Sequence, residues 1–364
     1  MGNVTAFPVE GQTPGTSPEE RAAIMERLQF GVDFTDHMAR AIYTEGVGWH
    51  DKAIVPYGPL TLSPATSMLH YGQAIFEGLK AYRWDDGSIW TFRPQKNAAR
   101  FNQSARRLAL PELPEEDFLG SIVSLVQEDR DWVPQGDGTS LYLRPFAFAS
   151  EPFLGVRSSH EVTYLVIASP VGPYFKHGFQ PVSIWVSTDF HRVANGGTGA
   201  AKTAGNYAAS LLPQNEAYAH GCEQVCFLDA ATNTVIEELG GMNIMVVRAD
   251  GTVVTPHTNG NILEGVTRDS ALQLLKDDGH EVVEADIVLT ELLEQIRSGE
   301  VAEVFACGTA AVVTPIGQLK GHGFDVTVGD GTPGPTTTAL LHRLTDIQYG
   351  RAEDPHGWMY RLVG

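Results

Sequence analysis

The stretch Gly196-Gly197-Thr198-Gly199-Ala200-Ala201-Lys202-Thr203-Ala204-Gly205-Asn206-Tyr207 holds one lysine among small residues, with a tyrosine five positions on. Small residues let a bulky ligand or another backbone approach closely. No acid stands next to Lys202 in sequence. A free lysine has a pKa of about 10.4, so almost none of it is nucleophilic at neutral pH. Burial or a nearby positive group lowers that value, which is how lysines that form Schiff bases are prepared. Lys202 thus has the setting of an amine that must lose its proton and attack a carbonyl. The plain alternative is an exposed lysine on a glycine-rich loop.

A sharper rival is a phosphate-binding loop. Residues 196–203 fit G-x-x-x-x-G-K-T at every defined position except one, where Ala201 replaces glycine. Residues 224–229 (QVCFLD) even mimic the strand-ending aspartate that such proteins use for magnesium. A Cβ at position 201 obstructs the backbone N–H groups that must turn inward around the phosphates. Such a loop also belongs between a strand and the helix it starts in a parallel sheet, whereas the strands expected on either side read as antiparallel. A nucleotide-binding protein stays open as the alternative of a different class.

At 364 residues the chain is long enough for two domains. A hydrophobic share of 43% with 19% charged residues describes a soluble globular protein. The formal net charge of −19 argues against nucleic acid and anionic membranes as partners, though a few local arginines can still hold a phosphate. Cys222, Cys226 and Cys307 form no CxxC pair, so neither a disulfide framework nor a zinc site is expected, and no metal is assigned. Reduced thiols and the lack of an apolar run of membrane length place the chain in the cytoplasm. Residues 1–16 read as a disordered tail without a targeting segment.

The expected domains are an N-terminal one over 17–170, a Gly- and Pro-rich linker over 171–181, and a C-terminal one over 182–364. Ser17-Pro18-Glu19-Glu20 is a capping box with proline at the first helical position, so a short helix follows. Residues 30–37 (FGVDFTDH) read as a strand entering a turn. Asp85-Asp86-Gly87 and Asp250-Gly251 are hairpin turns. Helices are expected over 97–108, 114–132, 207–219 (kinked or short because of Pro213), from Gly265, over 291–297 and over 337–349. Strands fill most of the rest, which makes an α+β fold with mostly antiparallel or barrel-like sheets flanked by helices.

Three further constellations carry chemistry. Glu237-Glu238-Leu239-Gly240-Gly241-Met242-Asn243 puts a carboxylate at a strand end before two glycines. A carboxylate facing a pyridine nitrogen keeps it protonated, the central requirement of pyridoxal chemistry. Gly265-Val266-Thr267-Arg268 begins a helix, which offers unpaired N–H groups and roughly +0.5 charge to a phosphate. Hydroxyls of Thr267 or of Thr309, in the small-residue turn Cys307-Gly308-Thr309-Ala310-Ala311, and the guanidinium of Arg100 are candidates to complete that seat. Tyr142 and Arg144 share one face of a strand and suit a pocket that takes both an apolar chain and a carboxylate. With Lys202, these pieces point to pyridoxal 5'-phosphate. Exposed helix arginines, a sheet edge and a solvated Glu pair are the competing plain readings. The histidines show no metal-ligand spacing.

In this order the pieces resemble the branched-chain-amino-acid aminotransferases, of the pyridoxal-phosphate fold called type IV. The resemblance runs from about Phe30 to Val313. It is carried by residues 30–38 (FGVDFTDHM), 69–82 (LHYGQAIFEGLKAY), Phe92-Arg93-Pro94 with Asn97 and Arg100, 142–145 (YLRP), 151–156 (EPFLGV), 196–207, 238–243, 265–268 and Gly308-Thr309-Ala310. The resemblance implies an aldimine at Lys202, a hydrogen bond from Tyr207 to the cofactor's phenolic oxygen, and Glu238 at the ring nitrogen. It gives the phosphate to Arg100, Val266, Thr267 and Thr309. It lines a substrate pocket with Phe30, Phe76, Tyr142, Arg144, Gly241 and Ala310. It also implies a homodimer in which Tyr71, Leu154 and Val156 reach the neighbouring site.

The activity so implied is reversible transamination of L-leucine, L-isoleucine and L-valine with 2-oxoglutarate by a ping-pong mechanism, with small amino acids and 2-oxo acids as partners. D-amino-acid aminotransferase and aminodeoxychorismate lyase share the fold and stay open. Two departures stand out. Some members carry a redox-sensitive CxxC after the Gly-Thr-Ala turn, where this chain reads Ala310-Ala311-Val312-Val313-Thr314. Some have a hydroxyl where Gly241 stands, so the substrate carboxylate would depend more on backbone N–H groups.

Overall fold

The computed structural model describes residues 4–11, 14–173 and 179–364. In chain order the first elements are α1 (Pro18–Arg27), β1 (His37–Thr44), β2 (Gly48–Pro56), α2 (Met68–Tyr71), β3 (Ala74–Phe76), β4 (Leu79–Arg83) and β5 (Ile89–Phe92). Next come α3 (Pro94–Arg107), α4 (Glu115–Glu128), β6 (Ser140–Ala149), β7 (Glu161–Val171) and β8 (Val182–Ser187). Then follow α5 (Ala204–Ala219), β9 (Gln224–Leu228), β10 (Ile236–Leu239), β11 (Asn243–Arg248), β12 (Val253–Thr255), α6 (Val266–Asp277) and β13 (Val282–Glu284). The chain closes with α7 (Leu289–Ser298), β14 (Val301–Gly308), β15 (Val312–Gly321), β16 (Phe324–Thr327), α8 (Pro335–Gln348) and β17 (Met359–Val363).

The chain divides into two units. The first comprises Met1–Tyr174, Ala201–Ala204 and Ile347–Gly364, and the second Phe175–Ala200 and Gly205–Asp346. The tetrapeptide with Lys202 therefore belongs to the first unit, while the chain on both sides of it belongs to the second.

The first unit is built on an eight-stranded sheet in the order β17-β5-β4-β6-β7-β1-β2, with β3 paired to β6. All its strand pairs are antiparallel. One face is apolar at every second position, with Leu79 and Ala81 on β4 and Leu141 and Leu143 on β6. It packs with Phe101 of α3 and Phe118, Ile122 and Leu125 of α4 into one core. The other face carries Phe76, Lys80, Tyr142, Arg144 and Phe146, because side chains alternate along each strand.

The second unit has a nine-stranded mixed sheet, β10-β9-β8-β15-β14-β11-β12-β13, with β16 paired to β15. Its core of Val, Ile and Leu includes Leu292, Leu293 and Ile296 from α7.

Several expectations change. The strand expected over 30–37 is a turn until His37. Gly31, at φ +68, reverses the chain there. The tail expected over 1–16 is packed along residues 4–11. Phe7 lies in the first core, Thr5 N donates to Glu116 O, and Ile54 N donates to Pro8 O. α5 runs for sixteen residues with Pro213 inside it, so it is not short. The strands flanking the lysine stretch, β8 and β9, are parallel, not antiparallel. α5 carries the chain back along the sheet between them, and a crossover of that length makes its two strands run the same way. Part of the expected linker, residues 174–178, lies outside the described residues. Among the described residues no helix is long and apolar enough to cross a membrane.

Candidate active site

The first unit joins five of the expected site residues by direct contacts. Arg144 Nη2 donates to Tyr142 Oη at 3.0 Å. The Arg144 guanidinium carbon lies 4.8 Å from the centre of the Phe76 ring. Phe30 meets Tyr142 edge-on with ring centres 4.9 Å apart. Lys202 Nζ stands over the Phe76 ring at 4.9 Å from its centre. A Cβ on Gly78 would come within 2.2 Å of Tyr142 Oη, so the tyrosine lies over bare backbone there.

The main chain of Lys202 is fixed on this unit from both sides. Phe76 N donates to Lys202 O at 3.0 Å, and Lys202 N donates to Ser104 Oγ at 2.9 Å. Thr203 Oγ1 donates to Ala74 O at 2.7 Å. Ahead of it, Gly197 N donates to Ala194 O and Ala200 N to Gly260 O. A Cβ on Gly199 would strike the Asn261 carbonyl at 2.1 Å. Gly197 and Gly199 thus admit neighbouring backbone, and the amides of Gly197 and Ala200, which a phosphate loop would turn inward, are already bonded. The parallel β8–α5–β9 connection supplies the topology of a phosphate loop without its anion cradle.

Glu77 is fully buried and accepts from Arg100 Nε at 2.7 Å, Arg100 Nη2 at 2.8 Å and Asn97 Nδ2 at 2.8 Å. Burial works against its charge. Arg100, Lys202 and Asn97 outweigh burial and hold the carboxyl below the usual carboxylate range. Two donors of Arg100, expected at a phosphate, are therefore directed at Glu77. Tyr71, Leu154 and Val156 are exposed, Val156 by 86%, and Tyr71 Oη donates to the Leu154 carbonyl of the same chain.

The second unit gathers the remaining expected residues. Glu238, on β10, is buried and forms an ion pair with Arg192 Nη2. It also accepts from Leu263 N at 3.0 Å and from Asn243 Nδ2 at 3.4 Å. Asn243 Nδ2 donates in addition to Leu263 O at 3.0 Å, and its Oδ1 sits where a Cβ on Gly265 would be, 2.2 Å away. Gly265 caps α6 without any side chain, so no cap side chain takes up the first-turn N–H groups of Val266 and Thr267. The Glu238 carboxyl group and the α6 helix start are thereby tied together through residues 243 and 263.

Next to them, a Cβ on Gly241 would stand 3.9 Å from Tyr207 Cε1, and one on Gly308 would stand 3.5 Å from Gly241 O. Asn243 pairs with Cys307 in the β11–β14 register, which brings Thr309 and Ala310 to the same end of the sheet. That turn ends at Val312 with φ +60, a conformation a β-branched residue rarely adopts. All three cysteines are buried, and burial pushes the thiols of Cys226 and Cys307 up to about 12.

Sequence reasoning missed Arg192 and Glu77. Arg192 also donates to the Gly199 and Asn261 carbonyls, so it links Glu238 to the glycine stretch. Ten residues before Lys202, it had no pattern to mark it. Glu77 was part of a recognised motif, but only the fold shows it inside, paired with Arg100.

Residues 74–319 match the family described as amino-transferase class IV. A branched-chain-amino-acid aminotransferase of Mycolicibacterium smegmatis is 52% identical over 360 residues, 98% of each chain. The fold resembles the solved branched-chain aminotransferase of Thermoproteus uzoniensis with norvaline (TM-score 0.74, 26% identity, 90% of this chain and 99% of that one). It also resembles the solved branched-chain amino acid aminotransferase of Escherichia coli (TM-score 0.73, 27% identity, 89% and 99%). A third solved branched-chain amino acid aminotransferase, complexed with N-(5'-phosphopyridoxyl)-L-glutamate, is similar to the same degree (TM-score 0.72, 29% identity, 89% and 99%). With two sheets of the expected kind and a match of this identity over nearly its whole length, the chain belongs to the branched-chain-amino-acid aminotransferases of the class IV amino-transferase family.

Proposed function

We propose that the enzyme binds pyridoxal 5'-phosphate and interconverts L-leucine, L-isoleucine and L-valine with their 2-oxo acids, with 2-oxoglutarate and L-glutamate as the second pair, in ping-pong order. The residues present fit the cofactor. They provide a lysine amine fixed by its main chain, a buried carboxylate with its own arginine, and a helix start without a side-chain cap. Lys202 would hold the aldehyde carbon, Glu238 the ring nitrogen and Tyr207 the phenolic oxygen. Val266, Thr267, Thr309 and Arg100 would hold the phosphate. When bound, the group supplies an electron sink for the carbanion left when Cα loses its proton.

The chain's own residues do the rest. The Lys202 amine would carry the α-proton as general base and then as general acid. Arg192 forms an ion pair with Glu238 and holds that side chain in place. Phe30, Phe76 and Tyr142 offer an apolar wall to a branched side chain. Arg144 receives the distal carboxylate of the dicarboxylic pair. Burying an unpaired carboxylate is expensive, so a cation within this wall is required. The exposed Tyr71, Leu154 and Val156 support a homodimer in which a second copy covers them, acting in the cytoplasm.

The single observation that carries this reading is the contact chain Lys202–Phe76–Arg144–Tyr142–Phe30. It places one amine and one guanidinium against three aromatic rings. The test is a purified protein assayed with L-leucine and 2-oxoglutarate, alongside D-alanine and aminodeoxychorismate. Glutamate formed from L-leucine, with a yellow chromophore that borohydride bleaches, supports it. A colourless protein inert toward L-leucine would sink it.

A further inference from the structure

The pocket face of the first sheet carries a second amine. Lys80, on β4, lies directly opposite Tyr142 on β6 in an antiparallel pair. Opposed residues of such a pair point to the same face with Cβ atoms about 4.5–5.5 Å apart. Lys80 thus stands on the face of Tyr142, Arg144 and Phe76, directly across from Tyr142 and diagonal to Arg144, at the roughly 7–8 Å of such neighbours. We propose that Lys80 is a specificity-determining residue, a titratable cation that works with Arg144 on the distal carboxylate of the dicarboxylic substrate and gives up its charge when an apolar side chain fills the pocket. The proposal rests on the reading of the pocket given above.

Two buried polar atoms on this face, Arg144 Nε and Ser169 Oγ, have no hydrogen-bond partner among the described residues. Ser169 pairs with Tyr142 from the other side, in the β6–β7 register. Donors therefore stand in and beside the strand that Lys80 faces, as a carboxylate guest requires. The same pocket must also accept leucine. A permanent second guanidinium would oppose that, because arginine stays charged at every accessible pH. A lysine differs. Burial pushes the Lys80 amine down to about 8, so neutralising it at pH 7 costs only a factor of about ten. Among the described residues, the charged and titratable groups near it include Tyr82 on its own strand, Tyr142 and Arg144 on β6, Lys202 on the tetrapeptide beyond Phe76, and Tyr349, whose ring meets Tyr82 at 5.1 Å. Glu77 is held by Arg100. No charged residue lies within β5, the strand on the other side of β4.

The sign follows. Lys80 is protonated below its pKa, so dicarboxylate binding is strongest there and weakens as pH rises through about 8. The experiment measures KM for 2-oxoglutarate and for 4-methyl-2-oxopentanoate between pH 6.5 and 9.5, using the wild type, Lys80→Met and Lys80→Arg holoenzymes. In the wild type, KM for 2-oxoglutarate should rise about tenfold between pH 7 and 9, while that of the apolar acid stays within about twofold. Lys80→Met should raise the former about tenfold at pH 7 and remove its pH dependence. Lys80→Arg should keep it low up to pH 9.5 and weaken the apolar substrate instead. A Lys80→Met enzyme with the wild-type profile overturns the proposal. So does an equal rise for both substrates, and so does a Lys80→Arg enzyme that retains the wild-type pH dependence. If the wild type fails to transaminate L-leucine with 2-oxoglutarate at all, the functional reading itself is wrong, an outcome distinct from each of these.

Discussion

Arg144 and Tyr142 are joined by a 3.0 Å hydrogen bond on one face of β6, with Phe76 stacked against the guanidinium from the neighbouring strand. The bond presents a cation inside an aromatic wall. Hydrogen bonds to charged groups contribute about 1.5–3 kcal/mol. Arg144→Ala should therefore lower kcat/KM for 2-oxoglutarate by roughly ten- to a hundredfold and leave that for L-leucine within about threefold. Steady-state kinetics with each substrate varied in turn decides it, and equal losses would remove Arg144 from the specificity role.

Lys202→Ala should abolish transamination and the visible chromophore together while the far-ultraviolet circular dichroism stays unchanged. Its main-chain bonds to Phe76 and Ser104 do not need the amine. A variant that keeps its colour after dialysis would place the attachment elsewhere.

The Arg192–Glu238 pair lies inside the second unit, nearly closed to solvent. Removing one partner of such a pair leaves a buried charge uncompensated, at about 3–5 kcal/mol. Arg192→Met should lower the melting temperature by about 10 °C. The double variant Arg192→Met, Glu238→Gln should recover most of that loss, since neither charge remains. Calorimetry of the three variants gives the coupling, and strict additivity would show that the two groups do not stabilise one another.

Glu77 has a carboxyl pKa below its unfolded value, in spite of burial, because of Arg100. A depressed carboxylate contributes stability above its unfolded pKa of about 4.3, and the contribution is lost as pH falls through the folded value. Urea midpoints measured from pH 7 down to 3 should fall less steeply for Glu77→Gln than for the wild type, with the curves converging at the acid end. Parallel curves would show that Glu77 titrates alike in both states.

The buried thiols give a further check. With Cys226 and Cys307 pushed up to about 12 and Cys222 also raised by burial, an aromatic disulfide reagent at pH 8 should react slowly with the native protein. After denaturation it should titrate all three thiols. Rapid native reaction at more than one site would contradict the burial.

Much of the site was legible because its chemistry is local. Gly265-Val266-Thr267 announces a helix start, and the period of two puts Tyr142 and Arg144 on one face. The glycines around Lys202 announce a close approach, though of backbone where a ligand was the first thought. Backbone dihedrals and side-chain alternation act over a few residues, and a sequence displays them directly. The turn at 30–36 was misjudged because its apolar residues alternate as a strand's do, while Gly31 turns the chain. The direction of β9 relative to β8 was misjudged for a different reason. Strand sense follows from where α5 returns the chain, a property of the sheet and of no single segment.

The sequence alone determined which residues carry charge, which can turn, and that one lysine stands in a stretch built for close contact. Tertiary structure decided what those residues meet. It moved Ala201–Ala204 into the first unit, closed Glu77 on Arg100 and brought Arg192 to Glu238 across 46 positions of chain. It also set Lys80 opposite Tyr142, through a strand register that joins residues 62 positions apart. The physical reason is that a buried charge is stabilised by a counter-charge beside it, and the partner is chosen by packing in space, which separation along the chain does not encode. Lys202 could be found by reading. The rings and cations beside it could only be found by folding.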